Sequence, residues 1–174
     1  LLGPLFTQGA SGTIQTGKFK GKMILLENLY DTEAFAWQAD WYRAKVAEHL
    51  GAETDNNFRL WLTDHANHSD TSQQKAPTHT VSYLGSLQQA LRDLSAWVED
   101  GVAPPASSAY EVVDGQIVVP ASAAERKGIQ PIVSVKANGA ERAEVAAGEV
   151  VELVADIDVP PGAGKIVAAS WDLE

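Results

Sequence analysis

Lys22-Met23-Ile24-Leu25-Leu26-Glu27-Asn28-Leu29-Tyr30-Asp31 and Phe58-Arg59-Leu60-Trp61-Leu62-Thr63-Asp64-His65-Ala66-Asn67-His68 are the two stretches on which the fold reading turns. In the first, Lys22 to Leu26 carries a short continuous apolar run, the pattern of a strand buried on both faces of a sheet. A polar turn, Glu27 to Asp31, comes next. Phe35, Ala39, Tyr42, Val46 and Leu50 then recur at spacings of three and four, a helix that Gly51 is placed to close. In the second stretch Phe58, Leu60 and Leu62 alternate as a strand. A polar loop, Asp64 to Thr78, leads to Leu84, Leu87, Leu91, Leu94 and Val98, one apolar helix face expected in the core and stopped at Gly101. Strand, helix, strand, helix predicts an α/β unit with a parallel sheet, because parallel neighbours need a crossover between them. In open sheets of this kind ligands sit at the loops beyond the carboxyl ends of the strands.

Composition sets the outer bounds. The 174 residues carry 13 Lys+Arg against 23 Asp+Glu, a net charge of −10. An acidic surface repels phosphate, which argues against a nucleic-acid or anionic-membrane partner. No apolar run reaches the roughly 18 residues of a membrane-spanning helix. The absence of cysteine excludes disulfides, thiolate metal sites and a cysteine nucleophile. The chain begins Leu1-Leu2-Gly3-Pro4, without initiator Met or signal-peptide pattern, and stops mid-pattern at Trp171-Asp172-Leu173-Glu174, so it is expected to be an internal piece of a longer protein.

Near Gly101 the character of the chain changes. All four His and four of the five Trp precede it. Gly101 to Ser108, with Pro104 and Pro105, reads as a linker. Beyond it, Tyr110 to Val119 is a hairpin signal, since Asp114-Gly115 supplies the positive φ angles of a type I′ turn. Ile132–Lys136, Ala143–Ala146, Val150–Ala155 and Ile166–Ala169 are further expected strands, spaced as in a β-sandwich.

Chemistry concentrates at Asp31, after the first strand, and His68, in the loop after the second. An acid and then a base at successive strand ends is the order of the last two members of a serine-hydrolase triad. The His must accept the nucleophile's proton on one ring nitrogen, while the carboxylate keeps the other nitrogen protonated and stabilises the imidazolium that forms. With these residues in view, Lys22 to Asp31 resembles the α/β-hydrolase segment ending in the triad Asp, and Phe58 to His68 the segment bearing the triad His. Trp97-Val98-Glu99-Asp100-Gly101-Val102-Ala103-Pro104 is similar to the end of the last helix in tannase and feruloyl-esterase-like members. The resemblance covers about residues 15–105. Ser69 stands where tannase-type members carry a cysteine, a departure that confines the resemblance to the broader hydrolase class. Gly148 to Ala155 with Gly164 to Leu173 resembles a PKD-type immunoglobulin-like domain, in which Trp171 is a core anchor and the setting is extracellular or cell-surface.

Other readings stand beside these. Asp31 is also a candidate cap, its carboxylate accepting backbone N–H groups. His65 competes with His68 as the base. Asp64, His65, His68 and Asp70 form a candidate metal cluster, since imidazole and carboxylate suit zinc. Gly9-Ala10-Ser11-Gly12 lacks the spacing and flanking elements of a nucleophile elbow, so the nucleophile is expected upstream. Trp37 and Trp41, an i, i+4 pair off the main apolar face, are expected to cover a neighbouring segment or line an aromatic cleft. His49, in the last turn of the first helix, favours the helix dipole. His79 is expected to be a boundary residue, and Glu125-Arg126-Lys127 a solvated charge run.

The expectation is therefore α/β: the C-terminal portion of an α/β-hydrolase domain (1–105), a linker and β-hairpin (106–128), and a partial PKD-like β-sandwich (129–174). The resemblance implies an esterase of the serine-hydrolase type with catalytic Asp31 and His68, no cofactor, a small-molecule ester substrate, and dependence on a missing N-terminal part. The rival readings are a non-catalytic binding scaffold and a metal-dependent hydrolase using the His65/His68 loop.

Overall fold

The computed structural model describes residues 15–70 and 79–171. β1 (Met23–Asn28) and β2 (Phe58–Thr63) pair in parallel, with Met23 opposite Phe58 and Asn28 opposite Thr63. The crossover between them is α1 (Ala36–Leu50), a 3₁₀ turn (Gly51–Glu53) and the single-turn α2 (Thr54–Asn57). Ala, Gln, Lys, Arg and Leu dominate α1 and no proline interrupts it, which favours helix. Gly51 closes it at φ +55°, donating its N–H to the Ala47 carbonyl, a conformation that costs glycine no Cβ clash. Ala39 and Val46 of α1 bury against Phe58, Leu60 and Leu62 of β2.

The burial pattern departs from the sequence reading. β2, expected to alternate, is buried at all six positions, whereas β1, expected to be buried on both faces, is half-buried throughout. The neighbours explain the inversion. β2 has β1 on one edge and residues 105–108 on the other, where Ser107 and Ser108 hydroxyls accept the Leu60 and Leu62 N–H groups at 3.1 and 3.0 Å. The Ser108 N–H in turn donates to the Leu60 carbonyl at 2.9 Å. Even Arg59 is buried: its Nε donates to the Pro105 carbonyl at 2.9 Å, and its guanidinium lies 4.9 Å from the Trp97 ring. The opposite edge of β1 carries no hydrogen-bonded strand among the described residues.

α3 (Leu84–Glu99) forms where the leucine periodicity predicts it, but its leucine face is not core. Leu91 and Val98 are 62% and 60% exposed, and the helix buries Ala90 and Trp97 instead. Trp97 is chosen because its ring receives both Arg59 and the Lys22 ammonium, each at 4.9 Å.

The second part is a series of small pieces. β3 (Glu111–Val113) and β4 (Gln116–Val118) form the expected hairpin, with Asp114 and Gly115 at φ +50° and +76°. α4 (Ala123–Arg126) is a single turn capped by Ser122, whose hydroxyl accepts the Glu125 N–H at 3.3 Å. β5 (Ile132–Ala137) and β6 (Leu153–Asp158) pair antiparallel. Residues 143–146 and 166–169, expected as strands, join no ladder, and Trp171 is exposed rather than a core anchor.

These observations correct the expected fold class. The described residues form three separate two-stranded sheets with a few helices, not an α/β-hydrolase sheet joined to an immunoglobulin-like sandwich. Strand propensity expresses itself only against a partner face, so β-branched segments that meet none stay irregular.

Candidate active site

The site grows from the ends of the parallel pair. Beyond β1 the chain turns at once, its Leu29 N–H donating to the Thr63 carbonyl at 3.0 Å and its Tyr30 N–H to the Ala66 carbonyl at 2.9 Å. The Asn28 side-chain amide donates to the Asn67 carbonyl at 2.9 Å. These three bonds stitch the turn after β1 to the loop after β2 and bring Asp31 to His68. His68 Nδ1 lies 2.8 Å from Asp31 Oδ2, within the reach the chemistry requires.

Asp31 divides its two oxygens. Oδ1 accepts the Glu33 and Ala34 N–H groups at 2.8 and 2.9 Å, while Oδ2 faces the imidazole. The cap reading and the acid reading are thus compatible, one on each oxygen. The Asp31 side chain is 8% exposed against 48% for His68, so a sheltered carboxylate anchors an accessible imidazole. Burial pushes the Asp31 carboxyl up, but the two backbone donors and His68 outweigh it and hold the group below the ordinary aspartate range. The hydrogen bond to Asp31, reinforced by its charge and that of Glu33, raises His68 above the ordinary histidine value.

His68 Nε2 is the nitrogen left to act. Glu33 Oε2 stands 3.8 Å from it, and among the described residues no hydroxyl hydrogen-bonds to it. Ser11 lies outside the described residues.

Glu27, placed in a turn by the sequence reading, belongs to this site. Burial, and next the Asp31 charge, push its carboxyl up to about 7. It shares a face of β1 with Met23 and Leu25, as period-two spacing requires, and that spacing is the sequence signal that points to it. With Trp37, Trp41 and Tyr42 of α1 these residues line an apolar groove of about 690 Å³ along the open side of β1. Trp37 also borders a smaller cleft of about 320 Å³ that reaches Asp31.

The remaining candidates separate. His65, at φ +60°, lies against the Tyr30 ring with centroids 4.6 Å apart, and its Nδ1 is 3.0 Å from Asp64 Oδ1. Asp70 accepts the Ser82 hydroxyl at 2.8 Å. Asp64, His65, His68 and Asp70 do not converge, and among the described residues no three His, Asp or Glu side chains gather as metal ligands would. His49 is exposed in the last turn of α1, and His79 is exposed ahead of α3.

No family model matches the chain, and no curated protein or solved structure is significantly similar to it. The functional reading therefore rests on the geometry of Asp31 and His68.

Proposed function

We propose that Asp31 and His68 are the orienting acid and the general base of a serine hydrolase acting on small-molecule esters, with the nucleophile and oxyanion donors outside the described residues. The observation that carries the reading is the 2.8 Å contact between His68 Nδ1 and a sheltered Asp31 braced by two backbone N–H groups. That contact keeps Nδ1 protonated and leaves Nε2 as the proton acceptor. In the first half-reaction His68 takes the serine hydroxyl proton as the oxygen attacks the ester carbonyl, then returns it to the departing alkoxide. In the second, it takes a proton from water, and hydrolysis of the acyl-enzyme regenerates the serine. Asp31 remains ionised throughout and balances the imidazolium.

A fluorophosphonate probe on the full-length protein tests this. Covalent labelling of a serine that falls at least about 100-fold in His68→Ala is the expected result. No labelling of the native protein, or labelling indifferent to His68, overturns it. The rival reading, a non-catalytic binding scaffold, has one observation in its favour: among the described residues the group facing Nε2 is the Glu33 carboxylate, at 3.8 Å.

A further inference from the structure

The geometry points to Arg126 and Gln130 as positioning residues that hold the His68 loop in register with Asp31, an inference that rests on the acid–base reading above. Both lie in a segment that the sequence presents as a solvated charge run and its sequel. The structure places them against the first residue of the site loop.

Asp64 is the residue at which the chain leaves β2. A single side chain takes both of its backbone groups: Gln130 Oε1 accepts the Asp64 N–H at 2.7 Å, and Gln130 Nε2 donates to the Asp64 carbonyl at 3.0 Å. This is the pairing one rung of a sheet ladder would supply, made here by an amide. Arg126 Nη1 reaches Asp64 Oδ2 at 3.2 Å, with its side chain only 11% exposed. The arginine is itself held, its Nε donating to the Pro120 carbonyl at 2.8 Å and its carbonyl accepting the Ala109 N–H at 2.7 Å. Ala109 comes directly after Ser108, which is bonded to β2. A closed circuit therefore runs from β2 through Ser108, Ala109 and Arg126 back to Asp64.

The circuit bears on His68 through the four residues that separate it from β2. His65 adopts φ +60°, a left-handed conformation that is uncommon for a non-glycine residue and reverses the chain here. The reversal buries Ala66 completely, its carbonyl accepting the Tyr30 N–H, and delivers Asn67 and His68 to the β1 side, where Asn28 binds Asn67 and Asp31 binds His68. The loop is thus held at three places: the Asp31 side by its own contacts, His65 by the Val81 N–H donating to its carbonyl at 2.9 Å, and the Asp64 side by Arg126 and Gln130. With the Asp64 hold released, the start of the reversal relaxes and the His68–Asp31 distance lengthens. A displacement of this kind, on the order of 1 Å, is enough to weaken a catalytic hydrogen bond.

The test follows the His68 imidazole by NMR across pH in the full chain, with the thermal midpoint measured on the same samples. Asp31, Glu33 and Glu27 are the carboxylates whose field the imidazole senses. In Gln130→Ala and in Arg126→Ala the raised titration midpoint should fall by roughly half a pH unit or more, with Asp31→Asn marking the full loss. Arg126→Lys, which keeps one donor to Asp64, should hold the midpoint close to native. A purely structural clamp would lower the thermal midpoint and leave the His68 titration unmoved at 25 °C, and that result overturns the inference. Should the alanine variants not fold, Gln130→Glu, which keeps the acceptor and loses the donor, decides by the same criterion. If Asp31→Asn leaves the midpoint unchanged, the acid–base reading itself falls, and the inference with it. If Asp31→Asn lowers the midpoint and the clamp variants do not, only the inference falls.

Discussion

Replacing Glu27 by Gln should stabilise this protein at alkaline pH and leave it nearly unchanged at acid pH. The carboxyl is half-buried at the end of β1, faces the Asp31 charge, and is raised from 4.5 to about 7. Between those values the folded state holds a proton that the unfolded chain has already released, so unfolding free energy falls as pH rises through that window. Above about 7 both states are ionised and the cost is constant. At about 1.36 kcal/mol per pH unit the full rise corresponds to about 3 kcal/mol. The carboxyl lines the open groove beside Trp37 and is only half-buried, so screening reduces this to about 1–2 kcal/mol. Glutamine has nearly the same shape and does not titrate, so its intrinsic effect on packing is a constant offset across pH. Urea unfolding followed by tryptophan fluorescence at pH 4, 6 and 8 measures the difference directly. The gain of Glu27→Gln over native should be about 1–2 kcal/mol larger at pH 8 than at pH 4, with most of the change between pH 5 and 7. A gain independent of pH, or one that shrinks towards pH 8, refutes the placement of Glu27 in a desolvated, negatively charged corner.

Gly17→Ala should cost at least about 2 kcal/mol by urea unfolding, because Gly17 is at φ +71° and a Cβ there would fall on the Lys45 carbonyl and Val46 nitrogen of α1. Gly21→Ala, with a positive φ but open space around it, should cost about half as much by the same measurement. Ser108→Ala removes the acceptor of the buried Leu62 N–H and should cost about 1–3 kcal/mol, read as a lowered denaturation midpoint. Fluorophosphonate labelling should rise with pH through a midpoint above 6.5, since only the neutral His68 imidazole accepts a proton and Asp31 raises its value. In Asp31→Asn that midpoint should move down, and a midpoint that stays in place would refute the coupling.

Local features are legible in the residue order because they depend on near neighbours along the chain. The α1 and α3 periodicities, the Gly51 stop and the Asp114-Gly115 turn each arise from a backbone or side-chain preference within a few positions. Asp31 and His68 are legible for a related reason, since each lies in the loop that follows a strand and parallel pairing brings successive strand ends to one side. The residue order does not determine which faces are covered. Leucines of α3 have the spacing of a core stripe, yet Trp97 takes the buried position because Arg59 and Lys22 meet its ring from distant segments. β2 is buried at every position because residues 105–108 close its far edge, a contact no local pattern encodes. The β-rich second part likewise carries strand propensity, but that propensity is realised only where a partner strand lies alongside, and the described residues supply partners in pairs. Arg126 illustrates the same limit from the polar side: in the residue order it is one charge in a run, and only the chain's return past Ala109 sets it against Asp64 and makes it part of the site. Burial and partnership are sums over distant neighbours, so they belong to the tertiary structure, while turns, helix ends and the order of the chemical groups belong to the sequence.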